Sequence, residues 1–263
     1  MSFKGYSLSV KGASHEDAGE VCQDSTRFYI THGLAVAAVS DGHGSEKHFR
    51  SAAGSEMATR VAIRSLCDFY ERNEGLRELF RENPDNAARR IAANIICGWN
   101  GEIAAHMRFS PLNERESAIC EKYGGIAGEI MYGATLILAP AAENFCFGIK
   151  IGDGSFIALD RGEMVFPMPD DSKLMANLTT SLCDSDAIGS FRYFFREGGF
   201  SGVMLSSDGL INSFRSERDF LSFGRRVIDA VAENETAHLP EHLIARSRNG
   251  SKDDISIAAI VSQ

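Results

Sequence analysis

No two of the six cysteines (Cys22, Cys67, Cys97, Cys120, Cys146 and Cys183) stand at C-x-x-C spacing. A zinc site therefore has no ligand pattern here, and a disulfide framework does not suit a chain long enough to bury its own core. Reduced, mostly buried thiols in a cytoplasmic protein are the expectation. No apolar run approaches the roughly 18 residues of a membrane helix, and Met1 to Tyr6 lacks the apolar stretch of a signal peptide. A basic surplus is missing too. Lys and Arg total 27 against 36 Asp and Glu, for a net charge of -9 and a pI near 5.3. Such a balance disfavours nucleic acid and anionic membrane as partners. Phosphate would have to be held locally, by a metal or a few basic groups. The glycines form neither G-x-G-x-x-G nor G-x-x-x-x-G-K-[ST], so no nucleotide loop is indicated. Repeats, low-complexity segments and dividing linkers are also absent, and one domain over residues 1–263 is expected.

What the chain does have is aspartate at the ends of strand-like runs. Leu34 to Val39 is small and β-branched, and it breaks off at Asp41-Gly42-His43-Gly44. A buried strand delivering a carboxylate onto a permissive backbone has this pattern. Asp24, Asp208 and Asp253 sit at similar edges, far apart in sequence. Each alone is an ordinary turn residue; the four together suggest a shared metal cluster.

Around these acids the pattern predicts strands at 6–11, 27–30 and 34–39, with a loop over Gly12 to Glu20. Helical spacing follows from Ser45 to about Arg72, with Phe49, Ala53, Met57, Ile63, Cys67 and Tyr70 recurring. A short helical piece precedes Asn83-Pro84-Asp85. A second long helix, capped by Asp85 or Asn86, then places Ala88, Ile91, Ile95, Trp99 and Ile103 on one face. Ser110 to Gly128 reads as loop. Strands return at 134–138, 145–151, 156–159, 164–166 and 203–206, then two helices, at 220–231 and 241–247, and a closing strand at 255–261. Segregated strands and helices argue for α+β with antiparallel sheets. Pro167 to Gly199 is weakly patterned and long for a plain loop, which makes it a candidate functional flap.

Mg²⁺ and Mn²⁺ prefer carboxylate, carbonyl and water oxygens, the kind of ligand that Asp41, Asp208 and Asp253 supply. Gln23-Asp24, Asp41-Gly42-His43-Gly44, Gly133-Ala134-Thr135, Gly152-Asp153-Gly154, Ser207-Asp208-Gly209 and Asp253-Asp254-Ile255-Ser256 occur in that order. The chain thereby resembles the metal-dependent serine/threonine protein phosphatases of the 2C type. Its opening, Gly12-x-Ser14-His15 to Gln23-Asp24, resembles a bacterial branch of that family. The resemblance implies a four-layer αββα sandwich with two central antiparallel sheets, and a phosphorylated protein as substrate in a signalling role. It implies two Mn²⁺ or Mg²⁺ ions bridged by Asp41, with the Gly42 carbonyl on one and Asp208 and Asp253 on the other. Asp24 would support metal-bound water, and His43 would protonate the departing serine or threonine oxygen, a task for a group titrating near neutrality. The implied mechanism is in-line attack of metal-activated water on phosphorus.

Three positions depart from that family's pattern. Gln23 stands where many members carry a metal-binding glutamate. Gly19 replaces the arginine that commonly binds substrate phosphate four residues earlier, leaving Lys11 or His15 to compensate. No aspartate precedes Gly133 by three residues, the nearest acid being Glu129. These departures keep open an alternative: a regulatory or binding module of phosphatase fold, catalytically weak or inactive. A nuclease of two-metal type is disfavoured by the acidic balance.

Overall fold

The computed structural model describes residues 2–31, 33–72, 76–126, 128–168 and 179–263. In chain order these form β1 (Phe3–Val10), α1 (Ala13–Ala18), β2 (Ser25–Thr31), β3 (Leu34–Ser40), α2 (Ser51–Arg72), α3 (Leu76–Glu82) and α4 (Pro84–Phe109). Next come α5 (Glu114–Lys122), α6 (Gly128–Met131), β4 (Leu136–Ala142), β5 (Phe145–Ile151), β6 (Ser155–Asp160), β7 (Glu163–Val165) and α7 (Ala187–Ser190). The chain continues through β8 (Arg192–Glu197), β9 (Gly202–Ser206), α8 (Asp208–Ile211), α9 (Glu217–Glu233), α10 (Leu239–Asn249) and β10 (Ile255–Ser262). One sheet has the order β1-β10-β9-β6-β7 and the other β2-β3-β4-β5-β8. Their ladders are antiparallel.

Strand β3 shows why its sequence is apolar without alternation. Leu34, Val36 and Ala38 point into a core shared with α2 and α4, where Ile91, Ile95 and Trp99 lie. Ala35, Ala37 and Val39 point the other way, between the sheets, against Ala258 and Ile260 of β10. A strand buried on both faces has no solvent side on which to place polar residues. A third core joins the outer face of the first sheet to Phe220, Phe223 and Val227 of α9 and Leu243 of α10. Helices, sheet, sheet and helices thus stack as the αββα sandwich of an α+β protein.

Several local expectations needed correction. The face of α4 carries Ala88, Ile91, Ile95, Trp99 and Ile103 as its spacing predicts. Its cap, however, is Asn83, whose side chain accepts from Asn86 N at 3.0 Å. Pro84 takes the first helical position, where a missing N–H is harmless. On α2 the large apolar residues that are buried are Met57, Val61, Leu66 and Phe69, with Ala58 and Ala62 between them, while Ala53, Ile63, Cys67 and Tyr70, and Phe49 just before the helix, are only partly covered. This helix touches both a sheet and α4, and two contact faces displace the stripe that a single face would define. Gly12 to Glu20 holds the short α1, and the expected loop over 110–128 holds α5, closed by an Asn113–Glu116 capping box.

The weakly patterned 167–199 segment contains an unforeseen edge strand, β8, paired with β5. Arginines and a glutamate blur its alternation, yet Phe195 stacks on Phe80 with ring centroids 5.2 Å apart. Residues 169–178 of the candidate flap lie outside the described residues.

Candidate active site

Asp41 follows the last residue of β3, and the backbone on either side of it is clamped by Thr135. Asp41 N donates to Thr135 Oγ1 at 3.0 Å, Thr135 N donates to the Asp41 carbonyl at 2.8 Å, and Ser40 Oγ donates to the Thr135 carbonyl at 2.5 Å. Gly42 must be glycine for lack of room: a Cβ there would lie 2.6 Å from the Gln23 carbonyl oxygen. His43 N donates to the Gly133 carbonyl at 3.0 Å. The two motifs Asp41-Gly42-His43-Gly44 and Gly133-Ala134-Thr135 are therefore one physical unit.

On the adjoining sheet, Ser207 and Ser256 exchange hydrogen bonds of 3.0 and 2.9 Å, which bind the end of β9 to the start of β10. Asp208 opens α8, and a Cβ on the next residue, Gly209, would collide with the Asp254 carbonyl. The two aspartate motifs of this sheet are thus pressed together. Asp41, Asp153, Asp208, Asp253 and Asp254 line one pocket of about 200 Å³, with His15, Gln23 and His43. Lys11 is not among the residues lining it. His15 does line it, with Nδ1 lying 3.0 Å from Asp254 Oδ1.

The acids repel one another. Burial, then the charges of Asp24 and Asp208, holds the Asp41 carboxyl well above the carboxylate range. Burial pushes Asp24 up to about 7, opposed by hydrogen bonds from Ser207 and reinforced by the charge of Asp254. Asp208 is raised by burial and by Asp153, and Asp253 by burial against a hydrogen bond from Asp254 N. Asp24 Oδ2 and Gln23 Oε1 are buried without a hydrogen-bond partner. Carboxylates packed this closely stay ionised only with a positive charge among them. The aspartate carboxylates outnumber the two imidazoles lining the pocket, a predominance of oxygen donors that suits a hard divalent cation. Among the described residues, no three His, Cys, Asp or Glu side chains are closed around a single point. The donor chemistry fits the cation; the side chains are assembled without being drawn in.

His43 does not titrate near neutrality here. Burial, then the neighbouring His48 ring, lowers it to about 4; the ring centroids are 4.8 Å apart. Its Nε2 is 2.7 Å from Ser181 Oγ, a partner that the sequence did not point to. Thr179 was likewise missed, though its hydroxyl donates to Asp153 Oδ2 at 2.5 Å. Both lie in the weakly patterned 167–199 stretch, and no motif marks them.

The family model for protein phosphatase 2C matches residues 11–244. The chain belongs to the protein phosphatase 2C family. Its fold is similar to that of the catalytic domain of the serine/threonine protein phosphatase PstP in complex with two manganese ions. The two share 21% identity, with a TM-score of 0.57 over 98% of this chain and 97% of that one. PppA of Pseudomonas aeruginosa, a regulatory component of a T6SS, is similar at 17% identity and a TM-score of 0.63, over 100% and 99% of the two chains. RsbX in complex with magnesium is similar at 14% identity and 0.53, over 98% and 94%. No curated protein matches the chain in sequence.

Proposed function

We propose that this member of the protein phosphatase 2C family is an active phosphatase, which hydrolyses phosphoserine or phosphothreonine in a phosphorylated protein within bacterial signalling. The observation that carries the reading is the pocket itself: strand-end carboxylates from both sheets meet there, beside an unpartnered Asp24 oxygen, and Asp41 is raised first by burial and then by the charges of Asp24 and Asp208. Mn²⁺ or Mg²⁺, two ions, are the cofactor that this donor set suits, and the manganese and magnesium complexes of PstP and RsbX support the choice. Asp41, the Gly42 carbonyl, Asp208 and Asp253 would hold them, with Asp24 in support. Bound there, the cations would supply charge to the phosphoryl oxygens and lower the pKa of water.

The rest of the chemistry falls to the chain. Thr135 fixes the backbone from which the Asp41 carboxylate projects, so that a cation would be met from a rigid support. His43, held neutral by burial, would present Nε2 toward the leaving oxygen once Ser181 yields. An entering phosphate dianion raises its proton affinity and makes it the acid. We assign the reaction to one phosphatase-like domain spanning 1–263 and place it in the cytoplasm. Among the described residues no helix is long and apolar enough to cross a membrane.

Purified protein with Mn²⁺ should hydrolyse a phosphopeptide and an aryl phosphate, and should lose both with Asp41→Asn or Asp208→Asn. Calorimetry of Mn²⁺ binding gives a second readout. Folded protein that binds Mn²⁺ but turns nothing over would instead be the regulatory module that Gln23 and Gly19 leave open. His43→Ala should slow the phosphopeptide far more than the aryl ester, whose leaving group needs no proton; equal slowing would remove His43 as the acid.

A further inference from the structure

A cleft of about 840 Å³ opens beside the acidic pocket and shares His43 and Thr179 with it. Its volume is that of a ligand site, far larger than a phosphate needs. Two features are unusual for plain surface. Ile188 is 41% exposed and lines the cleft together with Ile96. Asn100 also lines it, and its Oδ1 is buried without a hydrogen-bond partner. A buried acceptor left open is costly unless something donates to it. The charges are uneven as well: Glu129, Asp184 and Asp186 face a single described cation, Lys47. The Asp184 carboxylate is engaged, accepting from Ser181 N at 2.8 Å; no hydrogen bond or ion pair engages the Glu129 or Asp186 carboxylate among the described residues.

We infer that this cleft receives the polypeptide segment flanking the phosphorylated residue, and selects a segment carrying one apolar and one basic side chain. The inference rests on the phosphatase reading, because the cleft adjoins the proposed reaction centre through His43. The apolar side chain lies against Ile96 and Ile188, where it removes exposed hydrocarbon from water. A backbone amide or the basic side chain donates to Asn100 Oδ1. The basic side chain is held near Asp186 and Glu129, at the rim, where charge contributes selectivity more than affinity. The occupant is a peptide, since a small phosphate ester would leave the Ile188 side and Asn100 unfilled.

The test is a set of phosphothreonine peptides with arginine, leucine or glutamate at the flanking positions, compared with p-nitrophenyl phosphate. The readout is the ratio of kcat/KM for peptide to that for the aryl ester. Arginine-flanked peptides should exceed glutamate-flanked ones by about fivefold, the effect of one or two rim charges. Asp186→Lys should remove that preference, and Ile188→Ser should lower the ratio for peptides with a flanking leucine. An unchanged preference in both variants, or a preference for glutamate, would overturn the inference. If neither peptide nor aryl ester is hydrolysed, the phosphatase reading is what fails. Fluorescence anisotropy of the same peptides on the wild-type chain then decides the cleft: an arginine preference that Asp186→Lys removes supports it, and indiscriminate or absent binding overturns it.

Discussion

The Asp254 carboxylate accepts from the backbone N–H of Gln23 at 2.6 Å, 231 residues away in the chain. Its other oxygen accepts from Gly12 N, also at 2.6 Å, and the residue is only 3% exposed. Asp254 thus ties the start of β10 to the segments on both sides of α1. Those segments carry Gln23 and Asp24, the half of the site in which the family pattern is least complete.

Asp254→Asn should therefore weaken the fold. An amide presents an NH₂ to one of two buried N–H donors, leaving it unpaired at about 1–3 kcal/mol. Chemical denaturation measures the loss, and calorimetry should show weaker Mn²⁺ binding in the same variant, since Asp24 is no longer held. Unchanged stability together with unchanged Mn²⁺ affinity would mean that the clamp positions nothing.

The acids make a prediction about metal-free protein. Asp24 is pushed up to about 7 in the folded chain, against about 3.9 when unfolded. The folded state therefore keeps a proton that the unfolded state releases. This contribution is fully present below pH 4 and is lost as pH rises through 7. Without metal, stability should fall over that window, and Asp41→Asn should flatten the fall by removing one repelling charge. With Mn²⁺ the order should reverse: saturating ion stabilises wild type by about 2.7 kcal/mol at one hundred times its Kd, and Asp41→Asn gains far less. Thermal melts at pH 5 and 8, with and without Mn²⁺, measure both signs.

A second pH effect runs the opposite way at lower pH. Arg50 donates through Nε and Nη2 to both oxygens of Glu116, each at 2.8 Å, and through Nη1 to the Ser110 carbonyl and Tyr132 hydroxyl. Those hydrogen bonds lower the Glu116 carboxyl. The pair's contribution is present above the unfolded glutamate value and is lost as pH falls through the depressed one. Arg50→Met should destabilise by about 2–4 kcal/mol, because it leaves carbonyl, hydroxyl and carboxylate partners unpaired. Glu116→Gln should remove the acid-side slope while keeping part of the network. Urea denaturation across pH 3 to 6 separates the two variants.

The aspartate ends of apolar runs were legible in the chain because strand burial and tight turns both leave local marks. Leu34 to Val39 has no polar alternation for the reason its two buried faces give, and Gly42 and Gly209 are glycines because backbone passes within contact of them. The order of the motifs, and with it the family and the αββα sandwich, needed nothing beyond the sequence. What the tertiary structure decided was everything that depends on residues far apart coming into contact. Ser181 and Thr179 reach His43 and Asp153 from a stretch without periodicity. The strand β8 is held by pairing with β5 and by Phe80 rather than by its own pattern. The His43 imidazole, which in isolation titrates near neutrality, is lowered by burial and by His48. Local pattern records what a segment requires of its immediate neighbours; desolvation and charge at a site are sums over the whole fold, and no segment carries them alone.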